Sequence, residues 1–207
     1  MKKLLWTLLI SSIFAVSCNS SSKKNEDNKD AADSIATFEQ TQQLTEVITR
    51  FARAYISQDN DKVNALIHPD LGLYIIYRPG ASDVYAHVSR IDFSKPVPNH
   101  FPYTTFQNDY TLTFEKLPVF DCGSEKWDKL GFFADTTATA NQLTTIAIFR
   151  QEFENVSAAE VAQIEELEKD TYRIILTVNE NLVFHVKKYE GAWYVIVLDR
   201  AYGWCDA

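Results

Sequence analysis

Glycine is scarce in this sequence, and its six residues are scattered: Gly72, Gly80, Gly123, Gly131, Gly191 and Gly203. This spacing excludes the glycine-rich loops that cradle phosphate groups. Positive charge is also in short supply, because 20 Lys and Arg stand against 28 Asp and Glu and leave a formal net charge of −8. Proteins that bind a nucleic-acid backbone need a basic face to offset the phosphates, so we expect no nucleic-acid partner.

The usual motifs of metal and cofactor sites are also missing. The chain has four histidines, and no two of them stand three or four residues apart. HExxH, GxSxG and P-loop patterns do not occur. The run Asp59-Asn60-Asp61 lacks the glycine and the later glutamate of a calcium loop. We therefore predict no metal and no cofactor.

What the chain does contain is the composition of a globular protein. Of its 207 residues, 46% are hydrophobic, 13% aromatic and 23% charged. These proportions differ from those of disordered and fibrous chains. Residues 34–207 have the size of one domain, and we predict a single α+β domain there.

The N-terminal residues have the pattern of an export signal. Lys2 and Lys3 precede an uncharged stretch, residues 4–16, which is shorter than the roughly 20 apolar residues that span a bilayer. The stretch leads into Ala15-Val16-Ser17-Cys18, which resembles a bacterial lipobox. The resemblance implies that residues 1–17 are removed as a signal peptide and that Cys18 carries a lipid. The alternative is an ordinary cleaved signal that leaves a free cysteine.

A lipid at Cys18 makes the membrane the first expected partner. Each buried methylene contributes about 0.8 kcal/mol, so two or three acyl chains hold a soluble domain on a bilayer. Residues 18–33 are polar, and we predict that they form a disordered tether. Because serines and lysines rather than acids follow Cys18, we expect the periplasmic side of a bacterial cell envelope rather than the cell surface.

Two cysteines remain beyond the lipobox, Cys122 and Cys205. In an oxidising compartment such a pair is most simply a disulfide, which we predict here. A reactive thiol is the alternative. Neither cysteine has a CxxC partner or an adjacent histidine that would favour that alternative.

Hydrophobic spacing predicts helices at several places. Apolar residues recur at helical intervals over residues 35–57, and a short second helix ends at His68-Pro69, because a residue before proline avoids helical geometry. Ser157 and Glu160 form a capping-box pattern that predicts a helix at 158–169. Residues 141–153 fit a helix or a strand.

Alternating apolar residues predict strands elsewhere. Candidates are residues 71–77, 83–91 and 110–114, and the strongest signal is a three-stranded antiparallel meander over 172–178, 182–186 and 192–198. The last of these strands is apolar on both faces, which predicts that it is covered on both sides.

An amphipathic helix, a short helix ending in His68-Pro69 and a C-terminal meander resemble the NTF2-like (cystatin-like) fold. The residues that carry the resemblance are Phe51 to Tyr55, Asp59 to Asp61, His68-Pro69 and Phe184 to Tyr194. The resemblance implies N-terminal helices packed on a curved, mainly antiparallel sheet around a conical pocket. The whole chain also resembles lipoproteins of Bacteroidetes.

A fold of this kind does not choose a function. Our first hypothesis is a non-catalytic envelope domain that binds a small ligand or an envelope protein. The second is a periplasmic enzyme with an acid–base pair in its pocket, and the third is a structural component of an envelope complex.

The catalytic candidates are His87, His185 and Asp199. Both histidines are predicted on strands, on the faces that also carry Ser89 and Lys187, which favours solvent-facing side chains. If that face lined the pocket, either histidine could act as a general base beside Asp199. Strict alternation puts Asp199 on the opposite side of the sheet from His185, which counts against that pair.

Aromatic residues near the proline-rich centre offer candidates for ligand binding. Tyr74, Tyr85 and Tyr110 belong to this group and could line a groove for sugars, peptides or an apolar ligand. Ordinary core packing is the alternative for all three.

Overall fold

A computed structural model of the protein describes residues 23–177 and 181–202. The chain divides into two compact units, Met1–Gln40 and Thr41–Ala207. Of the first unit the structure describes the helical residues 23–40, and the sheet and both hydrophobic cores belong to the second. The described helices are α1 (Lys23–Ile56), α2 (Asn60–Asn64), α3 (Gln142–Phe153) and α4 (Ala158–Glu168). The described strands are β1 (Leu73–Tyr77), β2 (Val84–Val88), β3 (Leu112–Phe114), β4 (Phe120–Asp121), β5 (Lys126–Trp127), β6 (Gly131–Ala134), β7 (Thr171–Thr177), β8 (Leu182–Tyr189) and β9 (Ala192–Asp199).

Seven of these strands form one open sheet in the order β2-β1-β9-β8-β7-β6-β3. Neighbours pair antiparallel except at β1–β9 and β3–β6, which are parallel. Strands β4 and β5 form a separate two-stranded ribbon. The predicted α+β class with a mainly antiparallel sheet is therefore confirmed.

Helix α1 begins at Lys23, within the stretch 18–33 for which the sequence predicts a disordered tether. The predicted helix start at residue 35 thus falls inside α1. Once packed residues such as Ile48 and Phe51 hold one part of a helix, elongation through a polar segment costs far less than nucleation. Polarity alone therefore did not determine where this helix begins.

The first hydrophobic core lies between α1 and one face of the sheet. Ile48, Phe51 and Tyr55 of α1 are buried there, as their helical spacing predicts. The ring of Phe51 packs on that of Phe184 in β8, with 4.7 Å between centroids. This contact holds the C-terminal part of α1 on the sheet.

A second core covers the opposite face of the sheet. Residues 141–153, which fit either element by sequence, form α3, and α3 and α4 pack together on β1 and β9. Buried residues at this interface include Leu143, Ile164 and Ile196. Strand β9 is thus covered on both sides, as its apolar faces predict.

The start of α4 is capped as the sequence predicts, but only by half of the motif. The N–H of Glu160 donates to Ser157 Oγ at 3.1 Å. The Glu160 carboxylate accepts a hydrogen bond from the hydroxyl of Tyr85 at 2.7 Å. One side chain therefore links α4 to β2.

A β-bulge interrupts the pairing of β8 with β9. His185 stands opposite Val197 and Val186 stands opposite Val195, which leaves Ile196 as an extra residue. An extra residue reverses the alternation of the side chains that follow it. Residues of β9 after the bulge therefore have their side chains on the opposite face from the one that alternation from the start of the strand predicts.

Candidate functional site

A cleft of about 430 Å³ opens between α1, β6 and the segment that leads into β3. We call it the helix–sheet cleft. Its lining residues are Thr49, Ala52, Arg53 and Ile56 of α1, residues 108–112, and Phe132 of β6. The volume lies in the range of small-molecule sites.

The two walls of this cleft are built differently. On the helix side, Ala52 and Ile56 lie one turn apart and Arg53 stands in the last turn of α1. On the other side, the Asn108 side chain accepts from the N–H of Tyr110 at 2.9 Å and donates to the carbonyl of Tyr110 at 3.3 Å. A short turn held by its own asparagine presents residues 109–111 in a fixed conformation.

The three tyrosines predicted to bind a ligand do not meet in one groove. Tyr110 lines the helix–sheet cleft and is partly exposed. Tyr74 and Tyr85 pack against the second core, with 5.7 Å between their ring centroids. Burial, followed by the hydrogen bond to Glu160, raises the pKa of Tyr85, so its hydroxyl stays protonated as a donor.

A second cleft of about 370 Å³ lies near the N-terminus of α3, and Asp199 lines it. Its charges already have partners. Arg78 Nε lies 2.6 Å from Asp83 Oδ1, and Arg173 lies 2.8 Å from Asp199 Oδ2. Asp199 also accepts from the N–H of Ala201 through its other oxygen. Paired charges make this second cleft a poorer site for a charged ligand.

Arg173 and Asp199 of this lining belong to a cluster with Glu168 and His185, which we call the buried charged cluster because all its members except Arg173 are buried. The prediction that His185 faces solvent is wrong, because its side chain is 0% exposed beneath the α3–α4 layer. The prediction that Asp199 and His185 lie on opposite sides is also wrong. Asp199 pairs with Val183, two residues before His185, so the bulge brings both side chains to one face.

Sequence reasoning missed Glu168, the carboxylate nearest to His185. It is 3% exposed, and its oxygens accept from the backbone N–H groups of Leu143 and Thr144 at 3.1 and 2.7 Å. Glu168 thus caps α3, whose own cap residue Asn141 makes no side-chain bond there. A signal was available, since Glu168 continues the apolar face of Val161 and Ile164 at helical spacing.

The cluster holds His185 neutral and Glu168 ionised. Burial, the largest influence, lowers the pKa of His185, and the charge of Arg173 acts in the same direction. Burial alone raises the pKa of Glu168, but contacts with His185 and the Thr144 N–H outweigh it and lower that pKa. Nδ1 of His185 lies 3.5 Å from Glu168, and neither ring nitrogen has a hydrogen-bond partner among the described residues.

Acidification below pH 6.5 is expected to destabilise the protein through His185. The unfolded chain takes up a proton near pH 6.5, whereas the folded chain resists protonation, so this stability is present above 6.5 and is lost as the pH falls. Wild type should lose up to about 1.4 kcal/mol per pH unit more than His185→Gln. Urea unfolding between pH 7.5 and 5 measures this, and equal slopes would contradict it.

The matched control for that experiment is His100→Gln. His100 is exposed, so its replacement should leave the slope of the wild type unchanged. The charged groups that face His185 are Glu168, Arg173 and Asp199, and all stay in place in both variants.

The remaining catalytic candidate, His87, lies on the surface. Its ring stacks on Tyr74 with 4.3 Å between centroids, and Nε2 lies 2.9 Å from the carbonyl oxygen of Leu71. His87, His185 and Asp199 therefore do not form one pocket. None of the four histidines lines the helix–sheet cleft.

Several sequence predictions concern parts of the chain that the structure does not describe. The signal peptide at 1–17, Cys18 and Cys205 lie outside the described residues, so the lipid and the disulfide with Cys122 stay predictions. Among the described residues, no helix has the length and apolarity of a membrane span. No cluster of three or more His, Cys, Asp or Glu there could hold a metal ion.

No protein-family model, curated protein or solved structure matches this chain. The basis for a functional assignment is therefore the chemistry of the helix–sheet cleft and of the buried charged cluster.

Proposed function

We propose that this chain is a non-catalytic, lipid-anchored module of the cell envelope that binds a small ligand in the helix–sheet cleft. The observation that carries the proposal is the lining of that cleft. Ala52 and Phe132 are buried apolar residues of its lining, and the carboxylate among the lining residues, Asp109, has no histidine beside it with which to form an acid–base pair. Such a lining favours binding over acid–base chemistry.

The arrangement around the cleft supports an NTF2-like fold. The part of α1 from residue 41 onward packs on an open, mainly antiparallel sheet, and the cleft lies between this part of the helix and the strands. In the NTF2-like fold the pocket lies between the same two elements. A ligand in this cleft would contact α1, the segment 108–112 and β6.

The positions of the sequence-predicted bases His185 and Asp199 argue against catalysis by them. His185 is fully buried, and both oxygens of Asp199 are engaged by Arg173 and by the N–H of Ala201. A general base must come within hydrogen-bond distance of the proton that it removes. A substrate cannot reach His185 while the α3–α4 layer covers it.

Anchoring in the envelope rests on residues 2–18, for which mass spectrometry gives a direct test. The protein isolated from host membranes should begin at Cys18 and carry the added mass of acyl chains. An intact Met1 or an unmodified Cys18 would contradict the anchor.

Binding in the helix–sheet cleft can be tested by blocking it. Thr111 is exposed and lines the cleft, so Thr111→Trp should fill it without disturbing a core. Fragments that bind wild type in ligand-observed NMR should lose binding to this variant. Thr105→Trp, an exposed residue outside the lining, is the control and should bind as wild type does. Hits that persist in Thr111→Trp, or a library without hits, would argue against the proposal.

A further inference from the structure

Two opposite charges without partners line the helix–sheet cleft. Arg53 projects from the last turn of α1, and Asp109 belongs to the turn that Asn108 holds. Among the described residues, neither side chain has an ion pair or a hydrogen bond, and the two do not pair with each other. A guanidinium and a carboxylate thus face one cavity while both remain available.

This differs from the second cleft, where the charged side chains are matched. Arg78 pairs with Asp83 there, and Arg173 pairs with Asp199. A charged ligand in that cleft would have to break an existing pair. In the helix–sheet cleft, a ligand would supply the missing partners instead.

The same cleft also has apolar residues in its lining. Phe132 and Ala52 are buried, and Leu112 and Ile56 are partly buried beside them. An apolar group that settles on these residues leaves water, which favours binding. The hydrogen bonds of Asn108 order the backbone on either side of Asp109 beforehand, so less backbone entropy is lost on binding.

We infer that the helix–sheet cleft binds a zwitterion with an apolar group, of the chemical class of a free α-amino acid. Its carboxylate binds the Arg53 guanidinium, for which a two-pronged contact is available, and its ammonium binds Asp109. The apolar side chain rests on Phe132 and Leu112. This inference rests on the proposed function, since it names the ligand class of the same cleft.

Net charge explains why a zwitterion is favoured over a simple ion. An anion that approaches Arg53 also meets Asp109, and a cation that approaches Asp109 also meets Arg53. Either one leaves one charge of the cleft unmatched. A molecule with both charges and no net charge satisfies both residues.

The test compares L-leucine with two analogues that each lack one charge. Leucinamide has the ammonium alone, and 4-methylpentanoate has the carboxylate alone. Isothermal titration calorimetry of the full chain should show that leucine binds roughly tenfold more tightly than either analogue, because each analogue loses one hydrogen-bonded contact to a charged group. Equal affinities for the three probes, or no binding of leucine, would overturn the inference.

Two variants test which residue binds the carboxylate of leucine and which binds its ammonium group. Arg53→Met should weaken leucine binding about tenfold and remove its advantage over leucinamide, and Asp109→Asn should remove its advantage over 4-methylpentanoate. Arg50→Met is the control, because Arg50 pairs with Glu46 and does not line the cleft. Leucine binding that neither variant changes would overturn the assignment.

Failure of this inference is distinguishable from failure of the proposed function. If fragments bind wild type and lose binding in Thr111→Trp while leucine does not bind, the cleft is a site and the zwitterion is wrong. If Thr111→Trp changes no binding at all, the proposed site itself is wrong.

Discussion

Replacing Glu168 by alanine is expected to destabilise the protein by about 3–5 kcal/mol, the usual loss when one member of a buried charged group is removed. The carboxylate accepts from two N–H groups at the start of α3 and lies 3.5 Å from His185. Without it, the buried N–H of Leu143 and the partly buried N–H of Thr144 lose their acceptor, and α3 loses its cap. Chemical denaturation monitored by circular dichroism measures the change.

Two further variants show whether the charge or the hydrogen bonding of Glu168 matters. Glu168→Gln keeps an acceptor oxygen for the N–H groups of Leu143 and Thr144, so it should recover part of the loss. Glu165→Ala removes an exposed carboxylate from the same helix and should change stability by less than about 0.5 kcal/mol. A Glu168→Ala protein as stable as Glu165→Ala would show that the cap is unimportant.

Arg200→Met should have a comparable effect, about 3–4 kcal/mol, on the proline-rich segment that packs beside β9. Arg200 is 7% exposed, and its guanidinium donates to the carbonyls of Val97, Phe101 and Pro102. The same group lies over the rings of Phe101 and Tyr103, at 4.2 and 4.4 Å from their centroids. Methionine fills similar space but leaves three carbonyls without their donor.

Hydrogen exchange of backbone N–H groups shows whether the proline-rich segment is the part that Arg200→Met destabilises. The N–H of Phe101 donates to the carbonyl of Pro98 at 3.0 Å, so its protection reports on the segment that Arg200 holds. Arg200→Lys keeps the charge but loses the planar guanidinium. In this variant the protection of the Phe101 N–H should lie between that in wild type and that in Arg200→Met. Arg90→Met, at an exposed position, is the control. Unchanged protection at Phe101 in Arg200→Met would contradict the role of Arg200.

Local periodicity was sufficient for several elements. The spacing of Ile48, Phe51 and Tyr55 predicts the buried face of α1, and Ser157 predicts the start of α4. These features depend on residues within one or two turns of each other. Interactions between residues this close in sequence leave a local pattern, which can be read from a short stretch of the chain.

His185 shows where local periodicity was insufficient. Its neighbour Lys187 indicates a polar face, yet α4 covers the part of that face where His185 stands. Alternation also failed for Asp199, because one extra residue, Ile196, reverses the end of β9. A bulge of one residue changes neither composition nor the apolar character of the strand, so the sequence contains no clear sign of it.

By itself, the sequence determined the mixture of helices and strands, the inner face of α1 and the cap of α4. Only the tertiary structure decided that α3 and α4 bury His185, that Glu168 caps α3, and that Arg53 and Asp109 line one cleft. The physical reason is distance along the chain. These outcomes depend on the packing of segments that are far apart in sequence, and no single segment contains the interactions that stabilise them.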